Sequence, residues 1–170
     1  MTDILIRPER ADDYQAIHDV TARAFAPKPY ADGDEQLLIG RLRDAGALAL
    51  SLVADQAGRV VGQVTLTPAF AADGSAGWYA LGPIAVEPAW QGVGIGGELI
   101  GAGIGWMRSK HAAGCALVGN PAYYGRFGFR PFPALAPAGQ PAAFYQILPL
   151  GIPEPGVVVA FHPLFGGHAA

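Results

Sequence analysis

A glycine-dense turn between an apolar segment and a helix-forming segment constrains this chain more than any other feature. Its glycines are Gly92, Gly94, Gly96 and Gly97. Glycine has no Cβ, so the backbone of the turn can approach a ligand closely, and the first N–H groups of the following helix have no intrahelical acceptor. A phosphate or pyrophosphate supplies acceptors there and lies at the positive end of the helix dipole. The turn therefore predicts a site for a phosphate-bearing small molecule.

Two other kinds of phosphate-binding loop fit this turn poorly. Gly92, Gly94 and Gly97 have the G-x-G-x-x-G spacing of dinucleotide-binding folds. Those folds also need an acidic residue about 20 positions further on to hold the ribose, and the segment 115–121 contains none. The P-loop pattern G-x-x-x-x-G-K-S/T does not occur in the sequence. These absences make a nucleotide-binding oxidoreductase a weak alternative for the function of this chain.

Two motifs carry a resemblance to a known family. The residues from Gln91 to Gly96 read QGVGIG, which resembles the Q/R-x-x-G-x-G/A signature of the Gcn5-related N-acetyltransferase (GNAT) superfamily. The residues from Asn120 to Phe129 read NPAYYGRFGF and resemble that family's asparagine, short tyrosine-bearing helix and terminal Gly-Phe. The second motif is similar in particular to the bacterial YhbS-like subgroup of predicted acetyltransferases, in which an aspartate is common at the position of Asn120. The segment 156–165 resembles that subgroup's last strand and turn.

The pattern of secondary structure agrees with the fold that the resemblance implies. Apolar runs predict strands at 4–7, 47–54, 59–67, 78–86 and 115–118, and helical spacing predicts helices at 11–25, 34–44 and 95–110. Antiparallel strands followed by a strand-helix-strand unit do not give the alternation of a doubly wound sheet. The resemblance implies an α/β fold of the α+β type, with a mixed, mostly antiparallel twisted sheet of about six to seven strands and about four helices. We expect one N-acetyltransferase domain over residues 1–170.

The resemblance also implies how acetyl-CoA, as cosubstrate, would be bound. The pantetheine arm would pair with backbone that follows the kink at Gly82-Pro83, because a proline marks an unpaired edge or a bulge in a strand. The cofactor-binding residues are then Ile84, Ala85, Val86, Gln91, Gly92, Val93, Gly94, Ile95, Gly96, Gly97 and Asn120.

Tyr124 is the catalytic residue that the resemblance implies. A CoA thiol resembles a cysteine thiol, with a pKa of about 8.5, and a tyrosine with a pKa of about 10 can protonate the departing thiolate. The spacing from Tyr124 to Gly128-Phe129 matches the family's tyrosine. Tyr123 lies one residue earlier and would face about 100° away on a helix.

The sequence does not identify a general base. Many family members carry a glutamate on the fourth strand, but the segment 78–86 contains no carboxylate. Glu87 lies just beyond that strand, where we expect it to face solvent. Glu35, His18 and His162 could reach an acceptor amine directly or through water. A base is needed because only about one lysine-type amine in a few thousand is neutral at pH 7.

Charge, cysteine and histidine content argue against several classes. The net charge of −3 and the pI near 5.7 argue against nucleic-acid and anionic-membrane partners. Cys115, as the single cysteine, excludes an intramolecular disulfide, and we expect it to be a small core residue rather than a nucleophile. The histidines show no metal-ligand spacing, so no metal is predicted; they are His18, His111, His162 and His168.

Composition and hydropathy bear on location and assembly. We expect no secretory signal and no membrane span, because the N-terminus lacks a basic region followed by a long apolar run and the segment 92–107 is too short to cross a bilayer. A cytoplasmic protein is the resulting expectation. Hydrophobic residues make up 51% and charged residues 15% of the chain. This composition favours apolar surface patches, through which a homodimer could form.

These observations together predict an acetyl-CoA-dependent N-acetyltransferase. The acceptor would be a small-molecule or peptide amine that attacks the thioester directly in a ternary complex. Because the fourth strand lacks a carboxylate, an alternative is a catalytically silent CoA-binding sensor or interaction module with the same fold. Thioester turnover with a panel of amines separates these two, and binding of a nicotinamide cofactor would reveal the oxidoreductase.

Overall fold

The computed structural model describes residues 3–29 and 31–166, and within them the chain alternates between strands and helices. The strands are β1 (Ile4–Pro8), β2 (Leu50–Gln56), β3 (Arg59–Pro68), β4 (Phe70–Ala71), β5 (Trp78–Val86), β6 (Gly114–Val118), β7 (Arg130–Pro131), β8 (Tyr145–Pro149) and β9 (Val159–Ala160). The α-helices are α1 (Tyr14–Phe25), α2 (Glu35–Asp44), α3 (Ile95–Ser109) and α4 (Pro121–Tyr124). None of the described helices is both long enough and apolar enough to cross a membrane.

Seven of these strands form one mixed sheet in the order β1-β2-β3-β5-β6-β8-β7, and β4 and β9 form a separate two-stranded sheet. The pairs β1·β2, β6·β8 and β7·β8 are antiparallel, whereas β5 and β6 are parallel. This mostly antiparallel sheet, together with four α-helices, confirms the predicted fold class.

The hairpin between β2 and β3 shows how local sequence sets this topology. Ala57 and Gly58 both have positive φ angles, 51° and 88°, as the two central residues of a type I′ turn require. The carboxylate of Asp55 accepts a hydrogen bond of 2.7 Å from the N–H of Gly58. This tight turn joins neighbouring strands of the sheet and fixes their register.

Most predicted elements are found within a few residues of their expected bounds. The predicted loop 68–77 also contains the short strand β4, and the first three residues of the predicted helix 11–25 form a 3-10 turn. The last strand expected within 156–165 is β9, which pairs with β4 over two residues. A 3-10 turn, Pro163–Phe165, follows β9.

The chain divides into two compact units, Met1–Thr65 with Pro83–Gly103, and Leu66–Gly82 with Ile104–Ala170. In the first unit, α1 buries residues at helical spacing, Ile17, Val20, Thr21 and Ala24. Ile17 packs with Ile39, Val53 and Val60 in one apolar cluster. The prediction of one catalytic domain over residues 1–170 remains a prediction.

Aromatic packing characterises the second unit. The rings of Tyr145 and Phe161 lie 6.1 Å apart, and Phe161 is 5.8 Å from Phe165. The hydroxyl of Tyr145 donates to the carbonyl of Val159 at 2.8 Å, and burial raises the pKa of Tyr145 to about 12. Cys115 is fully buried in the same unit, and burial raises the pKa of its thiol. A buried, protonated thiol fits the expected core role of Cys115.

Candidate functional site

The glycine-dense turn has the backbone geometry of an anion-binding loop. Gly92 and Gly94 have φ angles of +82° and +94°, a region that favours glycine, and a Cβ at either position would meet no atom within 4 Å. The helix α3 begins directly after Gly94, whose carbonyl accepts from the N–H of Glu98 at 3.1 Å. The N–H groups of residues 95–97 precede that bond, so they have no acceptor within the helix. Glycine at these positions therefore permits the left-handed backbone of the turn and leaves the space beside it open.

The first turn of α3 is anchored to the strands of the first unit. A Cβ on Gly62 of β3 would lie 3.1 Å from the side chain of Leu99 and 3.3 Å from that of Ile95. A side chain at position 62 would therefore force these neighbours to shift by a few tenths of an ångström. At the other end of the turn, the side chain of Gln91 donates to the carbonyl of Val86 at 2.9 Å. These two contacts hold the loop between the end of β5 and the start of α3.

Glu87 is buried and ion-paired, so the expectation that it faces solvent is wrong. Its side chain is only 9% exposed, and both of its carboxylate oxygens accept hydrogen bonds from Arg23 at 2.8 to 3.2 Å. Arg23 lies in the last turn of α1. A buried carboxylate needs such a partner because desolvation of an unpaired charge is costly, and this pairing ties Glu87 to the helix.

A kink at Gly82-Pro83 interrupts the regular course of β5. Gly82 has a φ angle of +132°. The carbonyl of Pro83 accepts two side-chain hydrogen bonds of 3.2 Å each, from the amide of Gln63 and the hydroxyl of Thr65. Both of these β3 residues are fully buried. Gly82 therefore departs from regular strand geometry beside Pro83, where a bulge or an unpaired edge was expected, and buried polar side chains hold the Pro83 carbonyl in place.

The hydrogen bonds around Gln63 fix the orientation of its side-chain amide. The hydroxyl of Thr21 donates to the carbonyl of Ile17 at 2.7 Å and accepts from the amide nitrogen of Gln63 at 3.3 Å. Because that same nitrogen also donates to the carbonyl of Pro83, the amide of Gln63 has one favourable orientation. Sequence analysis missed this network. Polar residues at alternate positions of an apolar strand, Gln63 and Thr65, were the available signal.

The residues that follow the kink are partly accessible. Ile84 and Val86 are half-buried, whereas Ala85 is buried. The parallel ladder between β5 and β6 comprises the pairs Trp78–Gly114, Tyr79–Cys115 and Ala80–Ala116. Among the described residues this ladder ends at Ala80, before the kink.

In the second unit, Asn120 and Tyr124 lie on α4. Asn120 caps this helix, because its side-chain oxygen accepts from the N–H of Ala122 at 3.0 Å. Tyr124 is 8% exposed, and its ring meets those of Tyr123 and Phe129 nearly edge-on at 5.0 and 5.9 Å. The predicted catalytic tyrosine therefore has a ring fixed by packing.

Tyr123 has a different environment from its neighbour. The guanidinium of Arg126 lies 4.6 Å from the centre of the Tyr123 ring, and the ring also packs against that of Phe127 at 5.6 Å. Burial raises the pKa of Tyr123, and the charge of Arg126 opposes that effect. The two adjacent tyrosines thus provide a natural comparison of one hydroxyl with the other.

The three candidate bases all make local structural contacts. The buried carboxylate of Glu35 accepts from the N–H groups of Asp32 and Gly33 at 2.8 and 3.2 Å. The Nδ1 atom of His162 accepts from the N–H of Leu164 at 3.1 Å. The ring of His18 lies 3.3 Å from Asp19. None of these contacts singles out one residue as the base.

Few groupings of metal-ligand type occur among residues 3–29 and 31–166. One cluster of three acidic residues, Asp32, Asp34 and Glu35, places carboxylate oxygens within 4.8 Å of one another. Its Glu35 carboxylate already accepts the two backbone N–H groups described above. His168 lies outside the described residues, and the expectation that no metal is required remains a prediction.

Comparison with known proteins identifies the class that this fold and turn define. The profile of the Acetyltransferase (GNAT) family matches residues 14–129. Uncharacterized N-acetyltransferase YhbS of Escherichia coli strain K12 is 32% identical over 127 residues, which cover 74% of this chain and 73% of YhbS. Uncharacterized N-acetyltransferase YjhQ of the same strain is 38% identical over 122 residues, 70% of this chain and 65% of YjhQ. The chain belongs to the GNAT family and is YhbS-like.

Solved structures agree with this assignment over nearly the whole chain. A GNAT family acetyltransferase from Brucella melitensis, solved in complex with acetyl-CoA, has a TM-score of 0.85 and 40% identity, covering 97% of this chain and 99% of that one. Escherichia coli YhbS in complex with CoA has a TM-score of 0.83 and 26% identity, with coverages of 97% and 93%. The predicted family and fold are thereby confirmed.

Proposed function

We propose that this protein transfers the acetyl group of acetyl-CoA to an amine. The observation that carries the proposal is the turn at Gly92 and Gly94, where positive φ angles and open space lie before N–H groups that have no acceptor within α3. Such a helix start binds phosphate through its N–H groups and dipole. The Brucella relative, which was solved with acetyl-CoA, supports the same cosubstrate.

Each predicted binding residue has a part in this proposal. The pyrophosphate would accept hydrogen bonds from the backbone of the loop and first helical turn, Gln91, Gly92, Val93, Gly94, Ile95, Gly96 and Gly97. The pantetheine arm would pair with the backbone of Ile84, Ala85 and Val86, whose strand is held at its kink by Gln63 and Thr65. The side-chain oxygen of Asn120 caps α4, so Asn120 would bind acetyl-CoA through its side-chain NH2 group.

The reaction is a direct transfer in a ternary complex. The neutral nitrogen of the acceptor attacks the thioester carbonyl carbon, the C–S bond breaks, and an amide and CoA are formed. Tyr124 donates its hydroxyl proton to the departing sulfur and later regains a proton from solvent, and the acceptor nitrogen releases one proton to a base or to water. An amine of small-molecule or peptide type satisfies this chemistry.

Replacing Tyr124 by Phe tests the proposal. The variant loses one hydroxyl and little volume, so we expect acetyl-CoA affinity and the fold to be retained while kcat falls by about 10² to 10⁴. Turnover would be followed as CoA release with a panel of amines, and affinity by calorimetry. Tyr123→Phe is the matched control, with kcat expected near wild type. Equal, small effects of both substitutions would remove Tyr124 from the mechanism.

A second candidate is a CoA-binding module without catalysis. It is favoured by the segment 78–86, which lacks a carboxylate, and by the structural contacts that Glu35, His18 and His162 already make. This candidate predicts acetyl-CoA binding with no CoA release for any amine. Turnover above the uncatalysed rate with one amine excludes it.

A further inference from the structure

Gly119 lies directly against the ring of Tyr124. It is the residue between β6 and the cap residue Asn120. A Cβ built on Gly119 would overlap Cε2 of the Tyr124 ring and would lie 3.0 Å from Cδ2 and 3.4 Å from Cζ. Cε2 is bonded to Cζ, which carries the hydroxyl. Even one methyl group at position 119 would therefore press on the part of the ring from which the hydroxyl projects.

The backbone of Gly119 is held on both sides and cannot easily yield to such a contact. Its N–H donates to the carbonyl of Phe144 at 3.0 Å, and its carbonyl accepts from the side chain of Gln146 at 2.8 Å. Gln146 is fully buried and belongs to β8, which pairs with β6 over five residues. Moving Gly119 would break the bond to the buried side chain of Gln146, and leaving a buried donor unpaired is costly.

The ring of Tyr124 is enclosed on its other sides as well. Tyr123 and Phe129 contact it at 5.0 and 5.9 Å between ring centres. Its backbone N–H donates to the carbonyl of Asn120 at 3.0 Å, which fixes where the side chain starts. With the backbone at both ends fixed, an added methyl group would be accommodated by rotation of the ring.

We infer that Gly119 is a positioning residue for the hydroxyl of Tyr124, because the missing side chain at Gly119 sets where the ring can lie. This inference rests on the proposed function, in which that hydroxyl protonates the departing sulfur. Gly119 contributes no reacting group, and so all of its effect on turnover passes through Tyr124. Positioning within a fraction of an ångström matters for proton transfer, which requires hydrogen-bond distance in the transition state.

A double-mutant cycle tests this inference. The proteins are wild type, Gly119→Ala, Tyr124→Phe and the double variant, and the measurements are kcat with a turned-over amine and the Kd for acetyl-CoA. Gly119→Ala is expected to lower kcat by about tenfold or more, with Kd changed by less than about twofold. In the Tyr124→Phe background the same substitution should lower kcat further by less than about twofold, since the hydroxyl it displaces is already absent.

Gly125→Ala is the matched control in the same segment. Its Cβ would meet no atom within 4 Å, and its φ angle of −57° suits alanine, so kcat should stay near wild type. If Gly119→Ala leaves kcat unchanged, or lowers it by the same factor in both backgrounds, the inference is overturned. If Tyr124→Phe alone leaves kcat unchanged, it is the proposed role of Tyr124 that fails.

A second variant covers the case in which Gly119→Ala does not fold. Phe129→Leu shortens the side chain on another side of the Tyr124 ring and so releases the ring without adding atoms. If Phe129→Leu lowers kcat in the wild-type background but not in the Tyr124→Phe background, the packing around the Tyr124 ring controls the position of its hydroxyl, as inferred. Equal losses in both backgrounds would overturn the inference.

Discussion

Asp13 joins β1 to the start of α1 through hydrogen bonds from the side chain of Arg7 and the backbone of Arg10. Its two carboxylate oxygens accept from Arg7 at 2.7 and 3.0 Å, and one of them also accepts from the N–H of Arg10 at 2.7 Å. These hydrogen bonds hold the pKa of Asp13 below its usual value of 3.8. The bond from Arg7 has the largest effect. Asp55 binds the same guanidinium at 3.0 Å.

The lowered pKa of Asp13 makes a prediction about stability and pH. A carboxyl group with a depressed folded pKa stabilises the fold fully above its unfolded pKa of about 3.9, and that contribution is lost as the pH falls through the folded pKa. Asp13→Asn should therefore reduce the free energy of unfolding by about 1.5 to 3 kcal/mol at pH 7, and by less below about pH 4.

Urea unfolding at pH 7 and at pH 3 measures this difference, with Asp12→Asn as the control. Asp12 is exposed and lies in the same turn, so its substitution should change stability by less than about 0.5 kcal/mol. A loss for Asp13→Asn that is the same at both pH values would show that charge pairing is not its cause.

Residues differ in how far the sequence predicts their roles. The left-handed glycines Gly92 and Gly94 are predictable because a local motif demands them. Glu87 is not, because the partner that buries it, Arg23, lies 64 residues away and no local pattern links them. The role of Gly119 likewise depends on the Tyr124 ring that packs against it, which only the folded chain shows.

At the scale of elements, β3 offers a matched pair of buried hydroxyls. Thr65 and Thr67 are both fully buried. The hydroxyl of Thr65 donates to the carbonyl of Pro83, whereas that of Thr67 has no hydrogen-bond partner among the described residues. The two threonines therefore separate the effect of the bond at the kink from the effect of removing a hydroxyl from this strand.

Thr65→Val should destabilise the fold and loosen the kink of β5. We expect a loss of about 1 kcal/mol in the free energy of unfolding and a raised Kd for acetyl-CoA, because the backbone proposed to bind pantetheine follows Pro83 directly. Thr67→Val should leave stability unchanged or improve it. Chemical denaturation and calorimetry check both, and identical effects of the two substitutions would contradict the proposed importance of the kink.

The start of α3 makes a second prediction at this scale. Gly94→Val places a branched side chain at a φ of +94° and in the open space beside the turn. The Kd for acetyl-CoA should rise by at least about tenfold, which corresponds to about 1.4 kcal/mol of lost binding free energy, while the protein remains folded.

Gly101→Ala, within the helix that follows Gly94, is the control for Gly94→Val. Its Cβ would meet no atom within 4 Å and its φ angle is not left-handed, so acetyl-CoA affinity should be unchanged. Stability should increase by up to about 1 kcal/mol, because alanine has the higher helix propensity. Binding by Gly94→Val with wild-type affinity would show that the phosphate site lies elsewhere.

Elements were predicted well where a local sequence pattern or a family motif marks them. The bounds of α3 and β6 differ from expectation by only one residue each, because one runs at helical spacing and the other is a short apolar run bounded by glycine. The strand β9 and the 3-10 turn after it agree with the last strand and turn that the resemblance implied for 156–165.

For the whole molecule, the fold class was predictable but the strand order was not derivable from local pattern. The pairing of β6 with β8, which are separated in the chain by α4 and β7, is long-range. It was the two motifs, at the α3 turn and around α4, that indicated the family, and the family implied the sheet. The acceptor and the base lack such motifs, so the sequence leaves them open.

Binding of acetyl-CoA should stabilise the whole molecule against heat. A ligand that binds only the folded state stabilises it by RT ln(1 + [L]/Kd), about 2.7 kcal/mol at a concentration of 100 Kd. For a chain of this size that corresponds to a rise in Tm of roughly 5 to 11 °C. NAD should give no comparable rise, because the acidic residue that would hold its ribose does not follow the turn.

Differential scanning calorimetry of three variants would show which part of the molecule produces the rise in Tm. Tyr124→Phe should keep it, since the hydroxyl acts on catalysis rather than on binding. Gly94→Val should lose most of it, and Gly101→Ala should keep it, because only the former obstructs the turn. A rise with NAD as large as that with acetyl-CoA would favour the oxidoreductase. No rise with acetyl-CoA would contradict the proposed function for both the enzyme and the silent binding module.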